Sequence, residues 1–161
     1  MPTAIDAINA ALLACVCQQL ANEGRPACAC CQVVSSELPP MTGCDAASDG
    51  GAQGRAWSRL QPPVTFTASA PSKCPNGMWR VTFQVGVYRC IADHDGNCTD
   101  MTADAAKAHA DAASLVTAVQ CCDILQARAW VPGDVTIVGP AGGCVGVALS
   151  VQIDLPRLDT L

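Results

Sequence analysis

The sequence predicts an α+β domain, a mostly antiparallel sheet flanked by two helices in the order α-β-β-β-β-α-β-β. Three observations carry this. Apolar residues recur at three- and four-residue spacing near the N-terminus and again beyond residue 100, which is the helical period. Between these segments, short runs alternate apolar and polar residues, the period of a strand. The stretch WVPGDVTIVGPAGGCVGVALSVQID (130–154) then reads as two further strands joined by a glycine-rich bend. A fold built of helices packed on such a sheet buries the apolar stripe of each helix against one sheet face.

The elements follow in order. Thr3 is placed to cap a first helix over residues 4–22, with Asp6 three residues on in a capping-box position. Ile5, Ile8, Leu12, Val16 and Leu20 form its apolar stripe, and Gly24 followed by Pro26 stops it. Residues 28–36 suit a short strand, and 37–54, rich in Pro, Gly, Ser and Asp, an irregular loop of unusual length. Strand character returns at 55–60 and 64–70, separated by the bend of Pro62-Pro63. After a second loop at 71–77 comes the strongest strand. There Trp79, Val81, Phe83, Val85 and Val87 face one way, and Arg80, Thr82, Gln84 and Tyr88 the other.

Residues 93–100 form a polar connector, followed by a long helix from Thr102 to Ala129 capped by Asp100 or Thr102. Asp104 favours its N-terminal dipole. Ala108, Ala112, Leu115, Val119 and Cys122 are its buried stripe. In the last strand Val145, Val147, Leu149, Val151 and Ile153 share a face, and the bend before it is Gly139-Pro140-Ala141-Gly142-Gly143. No repeat or second domain interrupts residues 1–161, so one domain is expected.

Composition narrows the function. Half the residues are hydrophobic and 14% charged, so a packed core is expected. The net charge of −5, without any basic run, argues against a surface that grips nucleic acid. The N-terminus lacks a basic n-region and a cleavage site, and polar residues interrupt its apolar run. Neither a secretion signal nor a membrane span is expected there.

Twelve cysteines raise the question of chemistry. Cys28 and Cys31 form a C-x-x-C, but a zinc site needs a second spaced pair and no clean one exists. Structural disulfides or buried thiols are the better reading, with Cys28, Cys31, Cys44, Cys74, Cys90, Cys98, Cys122 and Cys144 as candidates and the pairing open. Adjacent Cys121 and Cys122 point about 100° apart on a helix and should have different fates. The polar run 93–104 departs from a calcium loop, with Gly96 at the fourth position and Asp104 at the twelfth. Only His94 and His109 are available as imidazole bases, and no nucleophile elbow, phosphate loop or dinucleotide fingerprint occurs. No enzyme, cofactor or metal is expected.

Three motifs carry a resemblance. GAQGRAWSRL (51–60), with Trp57 and Arg59, is followed by GVYRC (86–90), with Arg89. GPAGGCVG (139–146), with Gly139, Gly142, Gly143 and Gly146, comes last. In this order they resemble small neck and tail proteins of actinobacterial tailed phages. The element order is similar to the tail-terminator fold. The resemblance implies a structural virion protein, a homo-hexameric ring that caps the tail tube and joins it to the head around the DNA channel. Its implied partners are itself, the major tail tube protein and a head-closure or connector protein, with genomic DNA passing without specific binding and no membrane involved. It implies a location in the virion neck, reached by assembly in the host cytoplasm. Oxidising surroundings on a virion would also suit the cysteines. A head-closure (stopper) or connector role is the nearest alternative, and a cysteine-rich metal-binding or redox protein the more distant one. The loops 37–54 and 71–77 are expected to reach neighbouring subunits.

Overall fold

The computed structural model describes residues 3–33, 54–68, 77–90, 97–141 and 144–158. Helix α1 (Ala4–Asn22) begins where the local sequence places it. The Thr3 hydroxyl accepts from the Asp6 amide at 3.2 Å, and the Asp6 carboxylate accepts from the Thr3 amide at 3.1 Å, a reciprocal capping box. Ile8, Leu12, Leu13, Val16 and Leu20 are buried. By length and composition alone α1 would also suffice to cross a membrane, with a mean hydropathy of 1.5. Here its apolar stripe is spent on the sheet. The chain leaves the helix through Gly24 at φ +69°, a conformation a β-carbon would strain.

Among the described residues, five strands form one sheet in the order β1-β2-β3-β5-β4. They are β1 (Ala29–Val33), β2 (Arg55–Ala68), β3 (Gly77–Cys90), β4 (Trp130–Ala141) and β5 (Cys144–Leu155). Of these described strands only β1 and β2 run parallel, so the sheet is mostly antiparallel and the fold is α+β. The segments predicted at 55–60 and 64–70 join as β2, which pairs with β3 on both sides of a register break between Gln61 and Thr65. Pro62 and Pro63 sit in that break, because proline has no N–H to give a ladder. Residues 34–36 and 69–70 of the predicted strands lie outside the described residues, as do all but the last residue of each of the loops 37–54 and 71–77.

The second helix differs from its prediction at both ends. Helix α2 spans Cys98–Gln120 and is capped by Asn97, whose side-chain oxygen accepts from the Thr99 amide at 2.9 Å. Neither Asp100 nor Thr102 is the cap. Asp100 lies in the first turn, and the Thr102 hydroxyl donates back to the Cys98 carbonyl. Asp104 is thus displaced from the helix start; it is buried and pairs with Lys107 at 2.9 Å. The helix closes at Cys121 instead of running to Ala129. Cys122 turns extended and opens a single further turn, α3 (Asp123–Gln126). The apolar period continues across this break, which is why one helix was predicted: Leu115, Val119, Cys122 and Leu125 are all buried.

Helices α1 and α2 pack on one sheet face. Ile8, Leu12, Val16, Leu20, Leu115 and Val119 meet Val81, Phe83, Val85, Val87, Leu149, Val151 and Ile153 in the main core. A smaller cluster of Trp57, Tyr88 and Ala148, with Val33 and Val138 against it, fills the other face. Strand β3 is therefore buried on both faces from Phe83 to Arg89. Strand β4, at one edge, is not. Paired through Leu149 and Val147, its Val135 and Ile137 point to the helical side, yet they are 43% and 59% exposed. Among the described residues, no helix reaches over that edge. Val131, on the opposite face, is 61% exposed.

Candidate functional site

The three sequence motifs meet in space. Strand β2 places Trp57 opposite Gly86 of β3, and β3 places Tyr88 opposite Gly146 of β5. Each aromatic ring lies over the glycine of its neighbour. A β-carbon on Gly86 would stand 2.6 Å from Trp57 Cε2, and one on Gly146 would run into the Tyr88 ring. The glycines are thus explained by close approach of rings to backbone. The Trp57 and Tyr88 rings are 5.7 Å apart at a tilt of 34°, within the range of favourable aromatic pairs. Arg59, two residues along the same face, sets its guanidinium 5.7 Å from the Trp57 ring centre and donates through Nε to Gln84 at 2.9 Å.

This cluster is closed and apolar, with two polar groups inside it. Trp57 Nε1 and the Tyr88 hydroxyl are buried with no hydrogen-bond partner among the described residues. Burial accordingly pushes the Tyr88 hydroxyl above its ordinary pKa, and the nearby Arg59 charge opposes that shift. Gly139, the first glycine of the third motif, lies near the end of β4 with φ +102°. Gly142 and Gly143 lie outside the described residues.

Arg89 points to the helical face and belongs to a different group. Its Nε and Nη2 donate to both oxygens of Asp111 on α2, at 2.7 and 2.9 Å, and Nη2 also donates to the Arg25 carbonyl at 3.0 Å. Arg25 itself pairs with Asp111 and with Glu23. Ser114 donates to Glu23 at 2.5 Å. One buried carboxylate therefore ties β3, α2 and the turn after α1 together. Sequence reading found Arg89 only as a motif residue and missed Asp111, Arg25, Glu23 and Ser114. A polar Asp at a helical-stripe position is the only signal that pointed to it.

The network has a pH signature. Hydrogen bonds from Ser114, then Gln19, then Arg25 lower the Glu23 carboxyl from 4.5 to about 2. A carboxyl depressed on folding contributes stability that is complete above its unfolded value and is lost as pH falls through the folded one. The melting midpoint is therefore expected to fall between about pH 4.5 and pH 2, and Glu23→Gln to flatten that limb. Thermal unfolding followed by circular dichroism at stepped pH checks this.

The cysteines divide. Cys15 bonds Cys122, joining α1 to the start of α3, and Cys17 bonds Cys30, joining α1 to β1. Cys28 is also disulfide-bonded. Thus the chain carries disulfides, and Cys15, Cys17 and Cys30, absent from the predicted set, are among the bonded residues. Cys122 and Cys121 do have different fates, Cys121 being an exposed thiol. Cys31 is a half-buried thiol, and Cys98, considered as a bridge or a buried thiol, is an exposed one. The Sγ atoms of Cys90 and Cys144 lie 3.6 Å apart. Cys44 and Cys74 lie outside the described residues.

The remaining chemistry is sparse. His109 is exposed on α2, and His94 lies outside the described residues. Asn97 and Asp100, from the calcium-like run, bond each other at 3.0 Å at the start of α2. Among the described residues, no three His, Cys, Asp or Glu side chains gather where they could hold a metal ion. No protein-family model matches the chain, and no curated protein matches it.

Proposed function

We propose that this chain is a structural virion protein, a tail terminator that forms a homo-hexameric ring on the tail tube and joins it to the head. The observation that supports the reading best is the β4 edge. Among the described residues, one flank of this twelve-residue strand is unpaired in the sheet, and Val131, Val135 and Ile137 are exposed on the strand. A long apolar edge of this kind is a template for pairing with another chain unless something covers it. The other end of the sheet is β1, an edge of different sequence and direction. Contact between two unlike surfaces of identical copies is heterologous, and such contacts close into rings when the rotation permits.

Around that ring the tube protein and the head-closure protein would be axial partners, in the neck of the particle. The acidic balance of −5 suits a lumen through which DNA slides without adhering. The aromatic–glycine cluster and the Asp111 network serve as the rigid frame behind the edge, and no step of catalysis is assigned to them.

Electron microscopy and light scattering of the purified protein test the reading. Six-fold rings are expected, and Ile137→Asp is expected to yield monomers with an unchanged circular dichroism spectrum. The purified rings should also cap headless tails in a reconstitution assay. A protein that stays monomeric at every concentration tested, or one that binds only DNA-filled heads lacking tails, would sink the terminator assignment.

A further inference from the structure

We infer that Cys90 and Cys144 form a modification site, a dithiol that oxidises to an intramolecular disulfide joining β3 to β5. This inference does not depend on the virion reading. The two residues are register partners at the end of the β3–β5 ladder, and their sulfurs are already in contact at 3.6 Å. Directly opposed residues of antiparallel strands have α-carbons about 4.5–5.5 Å apart. That lies inside the span of about 4.4–6.8 Å that disulfides bridge. Closure therefore needs side-chain rotation and no shift of the strands.

The two thiols are unequal, which orders the reaction. Cys144 is 5% exposed, and burial raises its thiol pKa, with the contact to Cys90 adding to the shift. Cys90 is the more accessible of the two. With a small disulfide such as glutathione disulfide as oxidant, the Cys90 thiolate attacks one glutathione sulfur. A Cys90–glutathione mixed disulfide forms and one glutathione thiolate leaves. Cys144 then loses its proton and attacks the Cys90 sulfur, expelling the second glutathione. Two cysteine thiols are oxidised by two electrons, and one glutathione disulfide is reduced to two thiols. The three other thiols among the described residues, Cys31, Cys98 and Cys121, have no such neighbour within reach in the same ladder.

Non-reducing peptide mass spectrometry decides the matter. The folded protein is incubated with glutathione disulfide, quenched by alkylation and digested. A cross-linked peptide pair joining Cys90 to Cys144, lighter by two hydrogens than the two free peptides, is expected to accumulate. Exposed Cys98 and Cys121 are expected to appear only as alkylated or glutathione-bearing peptides. Cys144→Ser should abolish the cross-link and leave glutathione on Cys90. Recovery of Cys90 and Cys144 fully alkylated once Cys98 and Cys121 have exchanged, or of Cys90 bonded to a different cysteine, would overturn the inference. The wild-type map alone gives this answer even if the serine variant fails to fold.

Discussion

Replacing Asp111 with alanine is expected to destabilise the fold by about 3–5 kcal/mol, the range for removing one partner of a buried charge pair. The Asp111 side chain is 2% exposed and that of Arg89 9%. Truncation leaves the Arg89 guanidinium in the interior without its bidentate acceptor, and it also removes the carboxylate partner of Arg25 on α2. The loss is then mostly the desolvation of a buried cation deprived of its bidentate partner. Urea denaturation followed by tryptophan fluorescence measures it. The surface pair Arg80–Asp154 is the internal control. Its arginine side chain is 57% exposed, so Asp154→Ala should cost under about 1 kcal/mol. Equal losses at the two sites would mean that the Asp111 network is far better solvated than its burial implies.

The second large effect is expected from the Cys15–Cys122 bond. Its cysteines are 107 positions apart, against 13 for Cys17–Cys30. In the chain-entropy account a loop of about 100 residues is worth roughly 4.7 kcal/mol and one of about 15 residues roughly 3. The Cys15→Ala/Cys122→Ala double variant should therefore lose more than the Cys17→Ala/Cys30→Ala variant. The packing of Cys122 adds to the loss, since that residue is buried in the main core. For a chain of this size each kcal/mol moves the melting midpoint by about 2–4 °C, so a fall of roughly 10 °C or more is expected. Calorimetry of both variants compares them directly. A larger fall for the short-loop variant would refute the entropic ordering.

These two sites show where reading the chain as a sequence succeeds and where it stops. Helix α1 was legible to the residue because its start depends on Thr3 and Asp6, three positions apart, and its stop on Gly24. The α+β class was legible because helical and strand periods are local patterns. The start of α2 was not. Asn97-Cys98-Thr99-Asp100 reads as a turn, since Asn and Asp side chains serve turns and helix caps equally well. Likewise the apolar period ran unbroken through Cys121 and Cys122, where the backbone turns.

Alternation also placed Val135 and Ile137 on one face without telling that the face is bare. Whether a helix covers an edge strand depends on how two helices divide the width of a five-stranded sheet, and no residue of β4 encodes that. The motif residues Trp57, Gly86, Tyr88 and Gly146 were visible as separate marks, and their union across three strands was not. By itself, then, the sequence determined the element types, the first helix with its cap, and the apolar faces, all of which arise from neighbours within a few positions. The tertiary structure alone decided the Asp111 clamp, the Cys15–Cys122 bond, the Cys90–Cys144 contact and the bare edge. Those are pairings between residues far apart in the chain, fixed by strand register and helix packing, and local propensity carries no information about either.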